Sequence, residues 1–146
     1  MLIVGTEWLV EASGCDAESL RDAERLRALV ASIVRELDLR VVGQPQWHKF
    51  PGEGGVTGLV LLSESHLACH TYPEFGVATF NLYCCRARPE WPWGARLREM
   101  LGARGVKVSR VRRDAPEAGG VGGAAPPAVE KEAGAGASAF ARKGEA

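Results

Sequence analysis

The sequence predicts an α+β fold: a two-layer sandwich with a mostly antiparallel sheet and two helices on one face. Three observations carry this prediction. Apolar runs of strand length recur along the chain, an amphipathic helical stripe follows the first of them, and a second helical stretch precedes the last. The 146 residues are enough for one domain of ordinary size with a real core.

Residues 2–11 read as the first strand, with Gly5 marking a bulge or a close backbone approach. Asp16 offers an N-cap to a helix over residues 17–37, where Leu26, Val30, Ile33 and Leu37 form one apolar stripe. Residues 40–50 read as a second strand interrupted by Pro45, and PGEGG at 51–55 is a loop. Residues 56–62 make a short, fully apolar strand, and 67–72 another. In the strand at 76–85, Ala78, Phe80, Leu82 and Cys84 share one face, suited to helix packing. Val77, Thr79, Asn81, Tyr83 and Cys85 share the other, which carries the polar groups. The second helix, over 92–103, turns Trp93, Leu97, Met100 and Leu101 inward, and a last strand at 106–111 is followed by solvated arginines up to Arg113. One sheet face is left uncovered, with Trp8, Trp47 and Tyr83 expected on it and dimerisation as one way to cover it.

From Ala115 onward Gly, Ala and Pro dominate and Phe140 is the only aromatic. Such a segment buries too little apolar area to offset its ordering entropy. The folded domain is therefore expected over residues 1–113 and a disordered tail over 114–146. The net charge of zero gives no reason to expect nucleic acid or a charged membrane surface as partner. No apolar run approaches the roughly 18 residues of a membrane span. The first residues lack a basic n-region and include Glu7, so neither signal peptide nor anchor is expected. Four cysteines without an export signal point to free thiols and a cytoplasmic location. Cys84 and Cys85 are adjacent, so they point to opposite faces and should not bond to each other.

The chemistry concentrates in residues 61–74, LLSESHLACHTYPE, directly after an apolar strand. His66, Cys69, His70, Cys84 and Cys85 invite a zinc reading, but their spacing lacks the paired CxxC of structural sites, and no metal is expected. A thiol enzyme would use Cys85 or Cys69 with His70 as base. A serine hydrolase would need a GxSxG elbow, which is absent. Backbone rearrangement at a serine uses more of these residues. A serine hydroxyl attacks the carbonyl before it to give an ester, and elimination and hydrolysis then leave a pyruvoyl group. The requirements are a strained turn, a base and an oxyanion donor, and Glu64-Ser65 followed by His66 and His70 has the parts. The resulting ketone would form a Schiff base with a substrate amine and act as an electron sink for decarboxylation, with a thiol suited to return the proton.

SESHLACHTYPE resembles the cleavage and active-site block of the prokaryotic S-adenosylmethionine decarboxylases, close to SESHLxxHTxPE. The likeness extends over most of residues 1–113, through an N-terminal GT…LV segment, the HKF triplet at 48–50 and a cysteine after the following strand. The resemblance implies cleavage of the Glu64–Ser65 bond into a β chain (1–64) and an α chain (65–146), with Ser65 becoming the pyruvoyl group. It implies processing roles for His70 and Thr57, and Cys85 as the proton donor. Phe50 matches a residue stacking on adenine, and Glu74 one contacting ribose. A homodimer of αβ protomers follows from the same resemblance.

Glu7 and Trp8 stand where such proteins usually have His and an aliphatic residue, and Asn81 replaces a common acidic residue. Tyr72 replaces the usual Trp, and the loop between Phe50 and Thr57 is one residue longer. Glu7 and Asn81 bear on substrate choice. S-adenosylmethionine is the first expectation, and a basic amino acid (ornithine or arginine) is the alternative, its distal cation paired by Glu7. A third possibility is an unprocessed, non-enzymatic binding module. Ser63 is expected to be a turn residue, and Cys15, Cys69 and Cys84 packing residues.

Overall fold

Six strands and three helices account for the runs read above, in a computed structural model that describes residues 1–117. The strands are β1 (Leu2–Ser13), β2 (Gln46–Lys49), β3 (Val56–Leu62), β4 (Ser65–Tyr72), β5 (Val77–Cys84) and β6 (Gly105–Ala115). The helices are α1 (Ala17–Arg21), α2 (Ala23–Glu36) and α3 (Trp93–Leu101). All strand pairs are antiparallel, in the order β2-β3-β4-β5-β1-β6, and the helices form the second layer over one face. No described helix is long and apolar enough to cross a membrane.

The core lies between helices and sheet. Leu26, Leu29, Val30 and Ile33 of α2, Leu97 and Leu101 of α3, and Trp8, Val10, Val60, Leu67, Phe80 and Leu82 of the sheet are all buried there. Period-two alternation sorts each strand cleanly. In β4, Leu67, Cys69 and Thr71 face the helices, whereas His66, Ala68, His70 and Tyr72 lie on the open face. Thr71 is a buried post between layers. Its hydroxyl accepts from the Val56 N–H at 2.9 Å and donates to the Leu20 carbonyl of α1 at 2.8 Å.

Several expectations need correction. The helix expected over 17–37 is broken at Asp22, whose extended backbone (φ −82°, ψ 95°) ends α1 while its carboxylate accepts from the Arg25 N–H to start α2. Aspartate favours this because its short side chain competes for backbone donors. The second strand shrinks to four residues, since Gly43 (φ 71°) and Pro45 interrupt it and Val41 makes only an isolated bridge to Leu62. Trp8 and Trp47 are not on the open face. Trp8 shares the parity of Val10 and Ala12 and is 1% exposed. Trp47 lies over Gly58, where a Cβ would come within 2.4 Å of the ring, and the Arg27 guanidinium of α2 covers it. Tyr83 does lie on the open face. Gly5 serves both anticipated purposes: the β1–β6 register slips between Ile3 and Gly5, and a Cβ there would sit 2.5 Å from the Tyr83 ring. β6 continues to Ala115, opposite Leu2, and most of the tail expected over 114–146 lies outside the described residues.

The open face is left apolar as well as polar. Leu59 (49% exposed), Leu61 (58%) and Val111 (39%) stand on it beside the functional side chains.

Candidate active site

β3 and β4 are joined by the two-residue loop Ser63–Glu64, with Leu62 opposite Ser65. Loops this short favour positive φ at the turn residues themselves, which is why Asn and Gly dominate them. Here neither loop residue has positive φ, and Ser65 takes it instead, at 150°. A side-chain-bearing residue held there stores on the order of 1–3 kcal/mol of strain. The peptide bond preceding Ser65 is held from both sides. The Glu64 carbonyl accepts the Cys85 N–H at 3.0 Å. The Glu64 carboxylate, buried despite its charge, takes a two-pronged grip from Arg88 at 2.8 and 3.2 Å.

The Ser65 hydroxyl lies 3.0 Å from His66 Nδ1. Successive strand residues normally face opposite ways, so this contact depends on the irregular backbone at Ser65. His66 Nε2 is 2.8 Å from Asn81 Oδ1, and Asn81 Nδ2 donates to Glu7 at 2.7 Å. Arg113 donates to the other Glu7 oxygen at 2.8 Å and stacks over Tyr83. The Asn81 hydrogen bond, and after it Arg113, hold the Glu7 carboxyl below the usual carboxylate range. Cys85, just past β5, is exposed at this end of the sheet.

A second cluster sits at the far end of β4. His70 Nδ1 is 2.6 Å from the Thr57 hydroxyl, and its ring packs edge-on to Tyr72 and Phe50 at 4.4 and 5.5 Å. Phe50, His70, Tyr72 and Glu74 line a cleft of about 360 Å³. Burial lowers the His70 pKa from its ordinary value, and the negative charge of Glu74 partly opposes this.

The residues singled out from sequence thus form two groups: Ser65, Glu64, Cys85 and Glu7 at one end, and Phe50, Thr57, His70 and Glu74 at the other. Ser65 and His70 are five residue steps apart along β4, roughly 17 Å. The two groups do not meet within one chain. The Cys69–His70 pairing fails on parity, because Cys69, like Cys84, turns into the core while both histidines face outward. Cys85 is exposed but lies at the Ser65 end of the sheet, away from His70, so neither the Cys85–His70 pairing nor the five-residue zinc reading assembles. Burial pushes the Cys69 thiol up to about 11. Burial, reinforced by the nearby Glu64 charge, pushes Cys84 up to about 12. Sequence reasoning missed Arg88, and it treated Arg113 as merely solvated. It counted His66 among the parts of the rearrangement but did not connect it to Asn81 and Glu7, although strand parity puts all three on one face.

Fold and site define a class: a two-layer α+β sandwich with its reactive side chains on the open face of an antiparallel sheet. A family model described as S-adenosylmethionine decarboxylase matches residues 6–114. The chain is 36% identical over 115 residues to the S-adenosylmethionine decarboxylase proenzyme of Syntrophomonas wolfei, covering 77% of this chain and 89% of that one. It is 39% identical over 95 residues to the arginine decarboxylase proenzyme of Hyperthermus butylicus, covering 64% and 66%. The crystal structure of the adenosylmethionine decarboxylase from Aquifex aeolicus superposes with a TM-score of 0.67 at 27% identity, covering 80% of this chain and 96% of that one. The chain belongs to the S-adenosylmethionine decarboxylase family.

Proposed function

We propose that the chain cleaves itself between Glu64 and Ser65 and then decarboxylates S-adenosylmethionine. The observation that carries this reading is the Glu64–Ser65 peptide: strained at Ser65, with its carbonyl oxygen on the Cys85 N–H. That donor is placed where negative charge develops when the Ser65 hydroxyl adds to the carbonyl carbon. The site therefore fits the formation of a pyruvoyl group from Ser65, leaving residues 1–64 as β chain and 65–146 as α chain. Relief of strain favours opening of the peptide into the ester.

Elimination from that ester needs a base at the Ser65 α-proton. His70, neutral because burial lowers its pKa and held by Thr57, is suited to it but lies about 17 Å away in its own chain. A second copy laid face to face, with its strands reversed by a two-fold axis, would bring its own His70, Thr57, Phe50 and Glu74 over this chain's Ser65 and Cys85. The exposed Leu59, Leu61 and Val111 would be covered by the same contact. The proposed active unit is accordingly a homodimer of αβ protomers with shared sites.

The pyruvoyl ketone supplies the electron sink for loss of carbon dioxide from an amino acid substrate. Phe50 offers an aromatic face to an adenine, and Glu74 a carboxylate to ribose hydroxyls. The Cys85 thiol holds a proton at the open face for the carbon that loses its carboxylate. The product, decarboxylated S-adenosylmethionine, serves spermidine synthesis in the cytoplasm on this reading.

The Hyperthermus relative named an arginine decarboxylase keeps the basic amino acid reading in view. Against it, both Glu7 oxygens are already taken, by Asn81 and Arg113, so Glu7 offers no free charge to a distal cation. Intact-mass analysis and release of labelled carbon dioxide from S-adenosylmethionine, ornithine and arginine test the proposal. Two fragments meeting at 64/65 and release from S-adenosylmethionine are expected. A chain that stays whole and does not react with hydrazine would instead mark a non-enzymatic binding module.

A further inference from the structure

We propose that His66 is the base that takes the Ser65 hydroxyl proton in the first step of self-cleavage, and that Asn81, Glu7 and Arg113 hold it in the tautomer this requires. The inference rests on the self-cleavage reading above and adds to it a division of labour between two histidines.

Hydrogen-bond polarity fixes the tautomer of His66. A carboxylate only accepts, so the Asn81 atom 2.7 Å from Glu7 is the amide nitrogen. That orients Asn81 Oδ1 toward His66 Nε2 at 2.8 Å. An amide oxygen also only accepts, so Nε2 carries the hydrogen. In the neutral ring Nδ1 is then bare, and it is this nitrogen that lies 3.0 Å from Ser65 Oγ. Arg113, on the second Glu7 oxygen, keeps that carboxylate charged and in place. The chain Arg113–Glu7–Asn81–His66–Ser65 crosses four strands, β6, β1, β5 and β4, and each link decides the polarity of the next.

The step balances without a co-reactant. The Ser65 hydroxyl proton passes to His66 Nδ1 as Oγ bonds to the Glu64 carbonyl carbon, and the Cys85 N–H receives the oxyanion. The C–N bond then breaks and the Ser65 nitrogen takes the proton back from His66, leaving an ester and a free amine. His70 is committed to Thr57 at the other end of β4 and cannot serve this step in the same chain.

His66→Ala, His70→Ala and wild type should be followed by denaturing gel and intact mass, with and without hydroxylamine, which cuts an ester but spares an amide. His66→Ala should slow cleavage by on the order of 100-fold or more, remain whole in hydroxylamine, and recover cleavage when imidazole is added. His70→Ala should instead accumulate the hydroxylamine-sensitive ester. Cleavage of His66→Ala at the wild-type rate, its accumulation of ester, or a folded variant that imidazole does not rescue would overturn the assignment. A wild-type chain that never cleaves would defeat the underlying reading itself. Nitrogen NMR of uncleaved Ser65→Ala, which retains His66, gives a check independent of how His66→Ala folds. It should show His66 protonated at Nε2, becoming a tautomer mixture when Asn81→Ala is added, and an Nδ1–H tautomer before that change would refute the relay.

Discussion

Cys84 and Cys85 are neighbours with opposite fates, and the difference is one step of strand alternation. Cys84 is sealed in the core with its thiol pushed up to about 12, whereas Cys85 is exposed beside the Ser65 turn. On the proposed roles, Cys85→Ala should leave chain cleavage intact, because the group used there is its backbone N–H, while turnover falls by roughly 10²–10⁴-fold with the thiol gone. Comparing fragment yield with carbon dioxide release checks both halves. At His70 the sign is set by burial. Its NMR titration midpoint should fall below the ordinary value of about 6.5, so the ring is neutral at pH 7 and becomes charged only as pH drops through that lowered midpoint. Glu74→Gln removes the one charge that favours the imidazolium and should lower the midpoint further. Ser65, His70 and Cys85 could be proposed from sequence because the motif and the thiol are local in it. Arg88 was not, because its partner Glu64 lies 24 residues away.

At the level of elements, β3 was read to the residue, because a mainly apolar run, broken only by Thr57 and Gly58 and bounded by Gly55 and Ser63, matches a strand's length. The break at Asp22 could not be read from the apolar stripe, because Leu26, Val30, Ile33 and Leu37 all lie beyond it, in α2 and its C-cap. Trp47 shows a different difficulty. Its side is set by the pairing Trp47↔Gly58, and a residue with no side chain makes the room. Thr71 is a threonine in the reactive block whose work is structural. Thr71→Val keeps the shape but strands the Val56 N–H and the Leu20 carbonyl, which should lower stability by about 1–3 kcal/mol. Urea unfolding in the uncleavable Ser65→Ala background measures this, and an unchanged midpoint would count against the post.

For the whole molecule, the governing fact is the separation of two half-sites along β4. If each complete site takes one half from each of two copies, then two disabled chains should repair one another. Ser65→Ala cannot be cut but supplies His70, and His70→Ala can be cut but lacks its own base. Co-expressed, they should yield cleaved His70→Ala chains, identifiable by mass, where neither variant alone forms them. No cleavage in the mixture would argue against shared sites. Leu61→Glu, placing a charge on the exposed open face, should shift the proposed dimer to monomer in analytical ultracentrifugation and stop cleavage with it.

The sequence by itself determined the layers and the chemistry. Hydrophobic periodicity fixes which faces must be buried, and a cleavage motif is a run of adjacent residues, so both survive without coordinates. Tertiary structure decided what acts with what. The strain at Ser65, the Cys85 N–H on the Glu64 carbonyl, and the line from Arg113 to His66 all depend on strand register, which joins residues up to 106 positions apart. The distance between Ser65 and His70 is likewise invisible in a motif that prints them five letters apart, because only an extended strand turns that spacing into a gap no single chain can close.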